Sequence, residues 1–229
     1  MTELYSNQYL KIIQNDKNSQ LYRIEFTDSN PILIHSLVKT KILRNTTYSD
    51  DYKLLVFKAY SVEMFKADAT CSSPKVANMA ATLGGQLKYM LDEYSHTFLG
   101  FNSENIIVVD YDRFAFLDVE LIAKVEEESG MIMLYSPFNY GDFFVSPELK
   151  HFGSFPLKVH YKCAYFSLGC LLCYALLFGD DSFYQEYLRG EDNNIISILN
   201  THSIRETKFY WFISRCLVEE AEKRSIVFI

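Results

Sequence analysis

Glycine and proline are scarce in this chain, with nine Gly and five Pro in 229 residues. That excludes collagen-like repeats and Pro/Gly-rich disorder. Long apolar runs are also missing. The most apolar stretch, residues 164–178 (AYFSLGCLLCYALLF), ends at Gly179 and Asp180 and falls short of the roughly 20 residues needed to cross a bilayer. It reads as a buried core helix, and no membrane partner is expected. Positive charge is in deficit, 22 Lys plus Arg against 29 Asp plus Glu for a formal charge of −7. Phosphate backbones are bound by clustered Lys and Arg, and with no such cluster here nucleic acid is excluded as the expected partner.

The first ten residues, MTELYSNQYL, lack a positive segment followed by an apolar one, so no secretory leader is expected. Cysteines are few and odd in number, five in all: Cys71, Cys163, Cys170, Cys173 and Cys216. Without a leader, that usage points to reduced thiols in the cytoplasm. Cys170 and Cys173 form a CxxC pair inside the apolar stretch, but no second pair or His stands at ligand spacing. They read as core packing.

What the chain does have is apolar mass: 49% of it is hydrophobic and 16% aromatic, enough for a core of one large or two small lobes. Residues 8–26 show two short apolar runs around a polar break, the pattern of a hairpin. LVKTKILR and YKLLVFKAY, flanking residues 45–51, suggest a second hairpin. From Ser73 the period changes. Val76, Met79, Leu83, Leu87, Met90, Leu91 and Tyr94 recur every three or four residues, one face of a helix of about 20 residues, with Ser72 or Ser73 and Pro74 as its start signal. Residues 105–109 and 113–117 read as short strands around a turn. An irregular segment follows over 121–147, and then helices near 163–178, 193–200 and 207–219. Glu126-Glu127-Glu128 reads as a solvated loop face.

Five segments, taken in order, resemble the protein kinase family. Leu87–Val109 (LKYMLDEYSHTFLGFNSENIIVV) resembles the helix, catalytic loop and strand around H-R-D-L-K-P-E-N, with Asn105 on the metal-binding Asn. Phe116-Leu117-Asp118-Val119-Glu120 resembles the D-F-G segment, with Asp118 on the magnesium-binding Asp. Val145-Ser146-Pro147-Glu148 looks like A-P-E, and Phe166-Ser167-Leu168-Gly169 like the W-S-L-G of the central helix. Cys216-Leu217 through Glu222-Lys223-Arg224 looks like the closing C-L-x-x-D-P-x-x-R. The resemblance implies an α+β, protein-kinase-like fold, with a reduced β-rich small lobe over residues 1–60 and a helical large lobe over 61–229. It also implies an ion pair between Glu148 and Arg224.

The departures from the family pattern bear on activity. Phe98-Leu99-Gly100 stands where H-R-D should, so Gly100 replaces the Asp that orients the substrate hydroxyl and accepts its proton. His96 lies nearby and reads as structural. The acids of Asp110–Asp112 belong to a hairpin turn on the wrong side of Asn105. Leu10–Phe26 contains no glycine, so no Gly-rich loop covers phosphates. Ser36–Thr40 resembles the approach to the family's fourth strand, which leaves little room for three earlier strands and a helix. Lys11, Lys17 and Lys53 are the candidate phosphate contacts, each read first as an exposed strand or turn residue. Glu120 stands where D-F-G has its glycine, and Ala164 where the central helix offers a bracing Asp.

The expected function is that of a catalytically inactive pseudokinase, a protein-binding or regulatory module that mimics or competes with an active kinase. Its partner is then a protein, an active kinase or a kinase substrate. The alternative is an enzyme that binds ATP and Mg²⁺ through Asn105 and Asp118 and retains protein kinase or other transferase activity. The corresponding cofactor reading is either none or weakly bound Mg-ATP. Ser129, Tyr135, Ser136 and Tyr140 lie in the activation-like segment and read first as exposed loop residues.

Overall fold

The structure, a computed structural model, describes residues 1–67, 71–137, 144–150, 153–177, 193–201 and 203–226. It is a mixed α+β architecture that begins with a five-stranded antiparallel sheet in the order β1-β2-β3-β5-β4. The strands are β1 (Thr2–Ser6), β2 (Leu10–Asn15), β3 (Asn18–Phe26), β4 (Arg44–Tyr48) and β5 (Leu54–Lys58), and helix α1 (Pro31–Lys39) lies between β3 and β4 in the chain.

The first expected hairpin is present as β2 and β3, closed by the turn at Asp16 and Lys17. β1 adds a strand outside it, paired to β2 alone. The second hairpin forms with a corrected first arm. Leu37–Lys39 end a helix, and the strand partnering β5 is Arg44–Tyr48, which apart from Arg44 lies inside the stretch read as turn. The physical reason lies in Pro31 at the helix start and in Leu33, Ile34 and Leu37, all buried. Their spacing is helical, and a short apolar run cannot by itself be told from a strand. Ser36–Thr40 is therefore the end of α1 and not the approach to a strand. The room that seemed lacking for three strands and a helix before β4 is there, because the turns are tight.

Helix α2 (Ser73–Tyr94) follows, with Ser72 at its N-cap and Pro74 in its first turn. Its stripe of Val76, Met79, Leu83, Leu87 and Met90 is buried, as the 3.6-residue period requires. A three-stranded sheet in the order β10-β9-β6 combines β6 (Val62–Met64), β9 (Ile106–Val109) and β10 (Arg113–Phe116). β9 and β10 carry only buried residues, which explains their near-continuous apolar sequence.

The segment expected to be irregular instead makes three short pairings with distant chain. β11 (Ile122–Lys124) pairs with β7 (His96–Phe98), β12 (Met131–Leu134) with β14 (Leu157–His160), and β13 (Phe144–Val145) with β8 (Gly100–Phe101). Such two- to four-residue strands carry too little pattern to be read locally, since the partner strand decides them.

Helix α3 (Pro147–Lys150) precedes α4 (Cys163–Leu176), then α5 (Asn193–Thr201) and α6 (Lys208–Cys216). α4 is apolar on nearly every side and buried, as expected for a central helix. At Gly169 it approaches α6 and the residue after it so closely that a Cβ would lie 2.9 Å from Leu217 Cδ2 and 3.0 Å from Cys216 Cβ. Cys170 and Cys173 are fully buried in this packing. Among the described residues no helix is long and apolar enough to cross a membrane.

Candidate functional site

Asn105 and Asp118 sit at the two open ends of the β9–β10 hairpin, 13 residues apart in sequence and in contact in space. Their placement is local in origin. The Asn102 side chain accepts from the Asn105 backbone N–H at 2.9 Å, closing the loop before β9. Past β10, Asp118 Oδ1 accepts from the backbone N–H groups of Glu120 at 2.9 Å and Leu121 at 3.3 Å, an Asx-type turn. The Asn105 amide then donates to Asp118 Oδ2 at 2.6 Å. Asp118 is only 6% exposed, and this burial pushes its carboxyl above the usual value, an effect opposed by the two backbone donors and the Asn105 amide.

The remaining oxygen of Asn105 is taken from far away in the chain. Tyr5, on β1, donates its hydroxyl to Asn105 Oδ1 at 2.6 Å and accepts from Asn7 Nδ2 at 3.0 Å. Tyr9, in the β1–β2 turn, donates to Glu120 Oε1. Nothing in the sequence singles out Tyr5, Asn7 or Tyr9, since their role depends on contacts a hundred residues away.

A divalent cation needs oxygens converging on one point. Here Asn105 turns its NH₂ toward Asp118 and its oxygen toward Tyr5, and each Asp118 oxygen already accepts from the chain. The residues as arranged do not fit a metal. Among the described residues no group of three or more His, Cys, Asp or Glu is placed to hold one either.

Gly100, at the position the resemblance gives to the catalytic Asp, is buried on β8 beneath β13. A Cβ added there would lie 2.9 Å from Val145 Cγ1 and 3.0 Å from Phe144 O, closer than such atoms can approach without something moving. Ser167 of α4 fastens this pairing, accepting from the Phe101 N–H at 2.7 Å and donating to Phe144 O. Ala164, where the resemblance puts a bracing Asp, is buried and has no polar atom to offer. Ser167 ties the loop instead, a role the sequence pattern did not reveal.

The lysines considered for phosphate contact are dispersed. Lys11 pairs with Glu25 at 2.7 Å across β2 and β3, Lys53 donates to Thr27 O at 3.0 Å, and Lys17 is exposed in its turn. His96 is bonded through Nδ1 to Tyr94 O at 2.6 Å. Asp110 holds the chain before β6, accepting from the Tyr60 N–H at 2.6 Å and the Ser61 N–H at 3.3 Å, and pairs with Arg113. Ser129 donates to Glu126 at 2.5 Å in an exposed loop, and Tyr135 is exposed. Tyr140 lies outside the described residues.

Glu148 and Arg224 form a bidentate pair at 2.6 and 3.0 Å. Arg224 is fully buried, and its guanidinium also donates to Val218 O at 2.7 Å and Glu219 O at 2.8 Å while lying 4.9 Å from the Phe166 ring centroid. Every side of the cation is thus satisfied, which is the condition for burying it.

Buried polar contacts join the first sheet and α1 to the rest of the chain. Gln86 of α2 donates to Ser36 Oγ at 3.2 Å and to Phe116 O at 3.0 Å, and accepts from the Phe116 N–H at 3.1 Å. Arg113 donates to the Ile42 carbonyl. One continuous apolar core runs through both parts. No protein-family model matches the chain, and no curated protein matches it.

Proposed function

We propose that this protein is a catalytically inactive kinase-like protein, a pseudokinase that acts by binding another protein, either an active kinase or a substrate of one. The observation that carries the reading is Gly100. The position from which a kinase would orient and deprotonate its substrate has no side chain, and β13 packs against it so closely that adding one would force a neighbour to move. Positioning and charge stabilisation supply phosphoryl-transfer catalysis, and a backbone hydrogen sealed under a strand supplies neither.

Other features support the kinase-like part of the proposal. Five motif-like segments occur in the family's order, a helix lies between the third and fourth strands of the first sheet, and Glu148 and Arg224 are paired. Further features support the loss of nucleotide chemistry. The buried face of β3 carries Tyr22, Ile24 and Phe26, and α1 presents Leu33, Ile34 and Leu37 to the same core. Helix α1 contains no acid, so the Lys–Glu pair that holds ATP phosphates in the family has no counterpart across these elements.

Exposed aromatics suit the binding role. Tyr60 and Tyr111 stand out from the segment that Asp110 locks in place, 79% and 68% exposed. Rigidly mounted tyrosines are efficient interface anchors, because little side-chain freedom is lost on contact. With its reduced thiols, the chain fits the cytoplasm as its compartment.

The test is incubation of the full chain with labelled ATP and Mg²⁺ or Mn²⁺, alone and with a generic protein substrate, beside thermal unfolding in millimolar ATP. The expected results are no transferred label and no metal-dependent rise in the unfolding midpoint. Phosphate transfer that Asp118→Asn abolishes would establish the alternative, an ATP-using enzyme.

A further inference from the structure

The first sheet packs one face on the core, and its outer face is apolar as well. Strand β5 (LLVFK) shows this in its own sequence: Leu55 and Phe57 are buried in the core, while Leu54 and Val56, on the opposite face, are only partly covered. A strand apolar on both faces is suited to cover on both. Ile13 of β2 and Leu21 of β3 share the outer face, since Ile13 lies across from Arg23, Arg23 from Val56, and Leu21 from Lys58. Ile13, Leu21, Leu54 and Val56 line a cavity of about 170 Å³ and stand apart from the continuous core. That volume is below the roughly 300–1,000 Å³ of a cofactor or small-molecule site, so it suits a single apolar side chain. Charge on this face runs against that of the chain. Its strand positions carry Lys11, Arg23, Arg44 and Lys58 against Glu3 and Glu25, in a protein whose net charge is −7. At the Leu54 end Glu25 pairs with Lys11 at 2.7 Å and with Arg23 at 2.9 Å. At the other end exposed Lys58 stands between Leu21 on one side and exposed Arg44 on the other. Like charges directly opposite each other destabilise a sheet, and among the described residues neither Arg44 nor Lys58 is paired with an acid.

We propose that the outer face of the first sheet is a docking site for an acidic segment of a partner protein, with one apolar side chain seated in the cavity and carboxylates beside it on Arg44 and Lys58. The partner's acids relieve the repulsion between the two cations, and the complementary charge steers the segment to this face. A second copy of this chain offering the same face is a poor occupant, because it brings the same cations. The site deepens the binding role proposed above by giving the chemistry of the partner, and it rests on that reading for the partner being a protein. Its test reads neither phosphate transfer nor ATP binding, so the two can fail separately.

The test is titration of the isotope-labelled full chain with two capped probe peptides, followed by amide chemical shifts. One probe is a run of glutamates around a central leucine, and the other has lysine in place of every glutamate. The glutamate peptide is expected to shift the amides of Leu21, Arg44, Val56 and Lys58, and the lysine peptide to shift none of them. Arg44→Glu/Lys58→Glu should weaken the glutamate peptide about tenfold or more and let the lysine peptide shift these amides instead. Both positions are exposed, so the exchange leaves the core untouched. Lys66→Glu/Lys124→Glu, the same change of charge at exposed positions elsewhere, should leave the affinity within about twofold, because salt screens distant charges. A glutamate peptide that shifts none of these amides would overturn the site, as would equal weakening by the two charge reversals, which would mean attraction to overall charge. Undiminished binding of a glutamate peptide with serine in place of its leucine would overturn the role of the cavity. Capture of the chain by phosphatidylserine vesicles through Arg44 and Lys58, with no response to the peptide, would replace the protein partner by a membrane surface. Shifts of the same amides on raising the protein concentration alone would assign the face to a second copy.

Discussion

Replacing Gly100 with alanine tests the central structural claim, because it adds one carbon at the place where the backbones of β8 and β13 meet. That carbon would lie 2.9 Å from Val145 Cγ1 and 3.0 Å from Phe144 O. Neither neighbour retreats easily. Val145 is β-branched and stiff about χ1, and Phe144 O is fixed by its strand pairing and by the Ser167 hydroxyl. Overpacking of this kind costs about 1–3 kcal/mol. The loss of glycine's freedom in the unfolded chain works the other way by about 0.4–1 kcal/mol. The steric term wins, leaving a net loss of about 1–2 kcal/mol, or roughly 2–8 °C in Tm for a chain of this size. Urea unfolding followed by circular dichroism should show a lower midpoint with an unchanged slope. In Gly100→Ala/Val145→Ala the Cγ1 contact is relieved while the carbonyl contact stays, so the double variant should lose less than the sum of the singles by about 0.5 kcal/mol or more. Gly100→Asp should be worse than alanine, since it buries a carboxylate against a carbonyl oxygen. An alanine variant as stable as wild type, or strict additivity in the double variant, would refute the reasoning.

Two further predictions concern the buried charges. Arg224→Met removes the cation from a fully buried site and leaves Glu148 and the Val218 and Glu219 carbonyls without their donor; denaturant unfolding should show a loss of about 3–5 kcal/mol, and a loss under about 1 kcal/mol would show that the pair does not tie these segments together. Asp118 titrates above the usual carboxylate value because it is buried, so the folded chain binds its proton more readily than the unfolded chain does. Its charge therefore destabilises the fold as pH rises from the ordinary Asp value through the raised one. Asp118→Asn should accordingly equal or exceed wild type in Tm at pH 7, with the gap closing as pH falls toward about 3.5, near the ordinary Asp value. A gap that widens on acidification would reverse the sign of the argument.

Elements with a strong internal period are legible in the residue pattern alone. The stripe of α2, the apolar wrap of α4 and the hairpins β2–β3 and β9–β10 are all found where the pattern puts them, because each buries a face that its own residues define. The expected first arm of the β4–β5 hairpin shows the limit. Leu37 to Arg44 is apolar enough for a strand, but its first residues complete the helix that Pro31 starts and that Leu33, Ile34 and Leu37 bury. The short strands β8, β11 and β13 lie beyond such reading for the same reason, since two or three residues become a strand only when a distant segment supplies their hydrogen bonds.

The order of residues settles what chemistry is available: a glycine at position 100, an Asn and an Asp separated by a hairpin, a buried CxxC, and an excess of acid. What these residues can do is set by packing between segments far apart in the chain. It brings Val145 and Phe144 against Gly100, so that any side chain there would have to displace a neighbour. It also brings Tyr5 and Tyr9 onto Asn105 and Glu120, and so sets the state of the Asn105–Asp118 pair. Hydrogen bonds between residues a hundred positions apart leave no local period or spacing to read. They depend on how the first sheet docks on the β9–β10 hairpin, and that docking is fixed by the common core and by Gln86 and Arg113 within it.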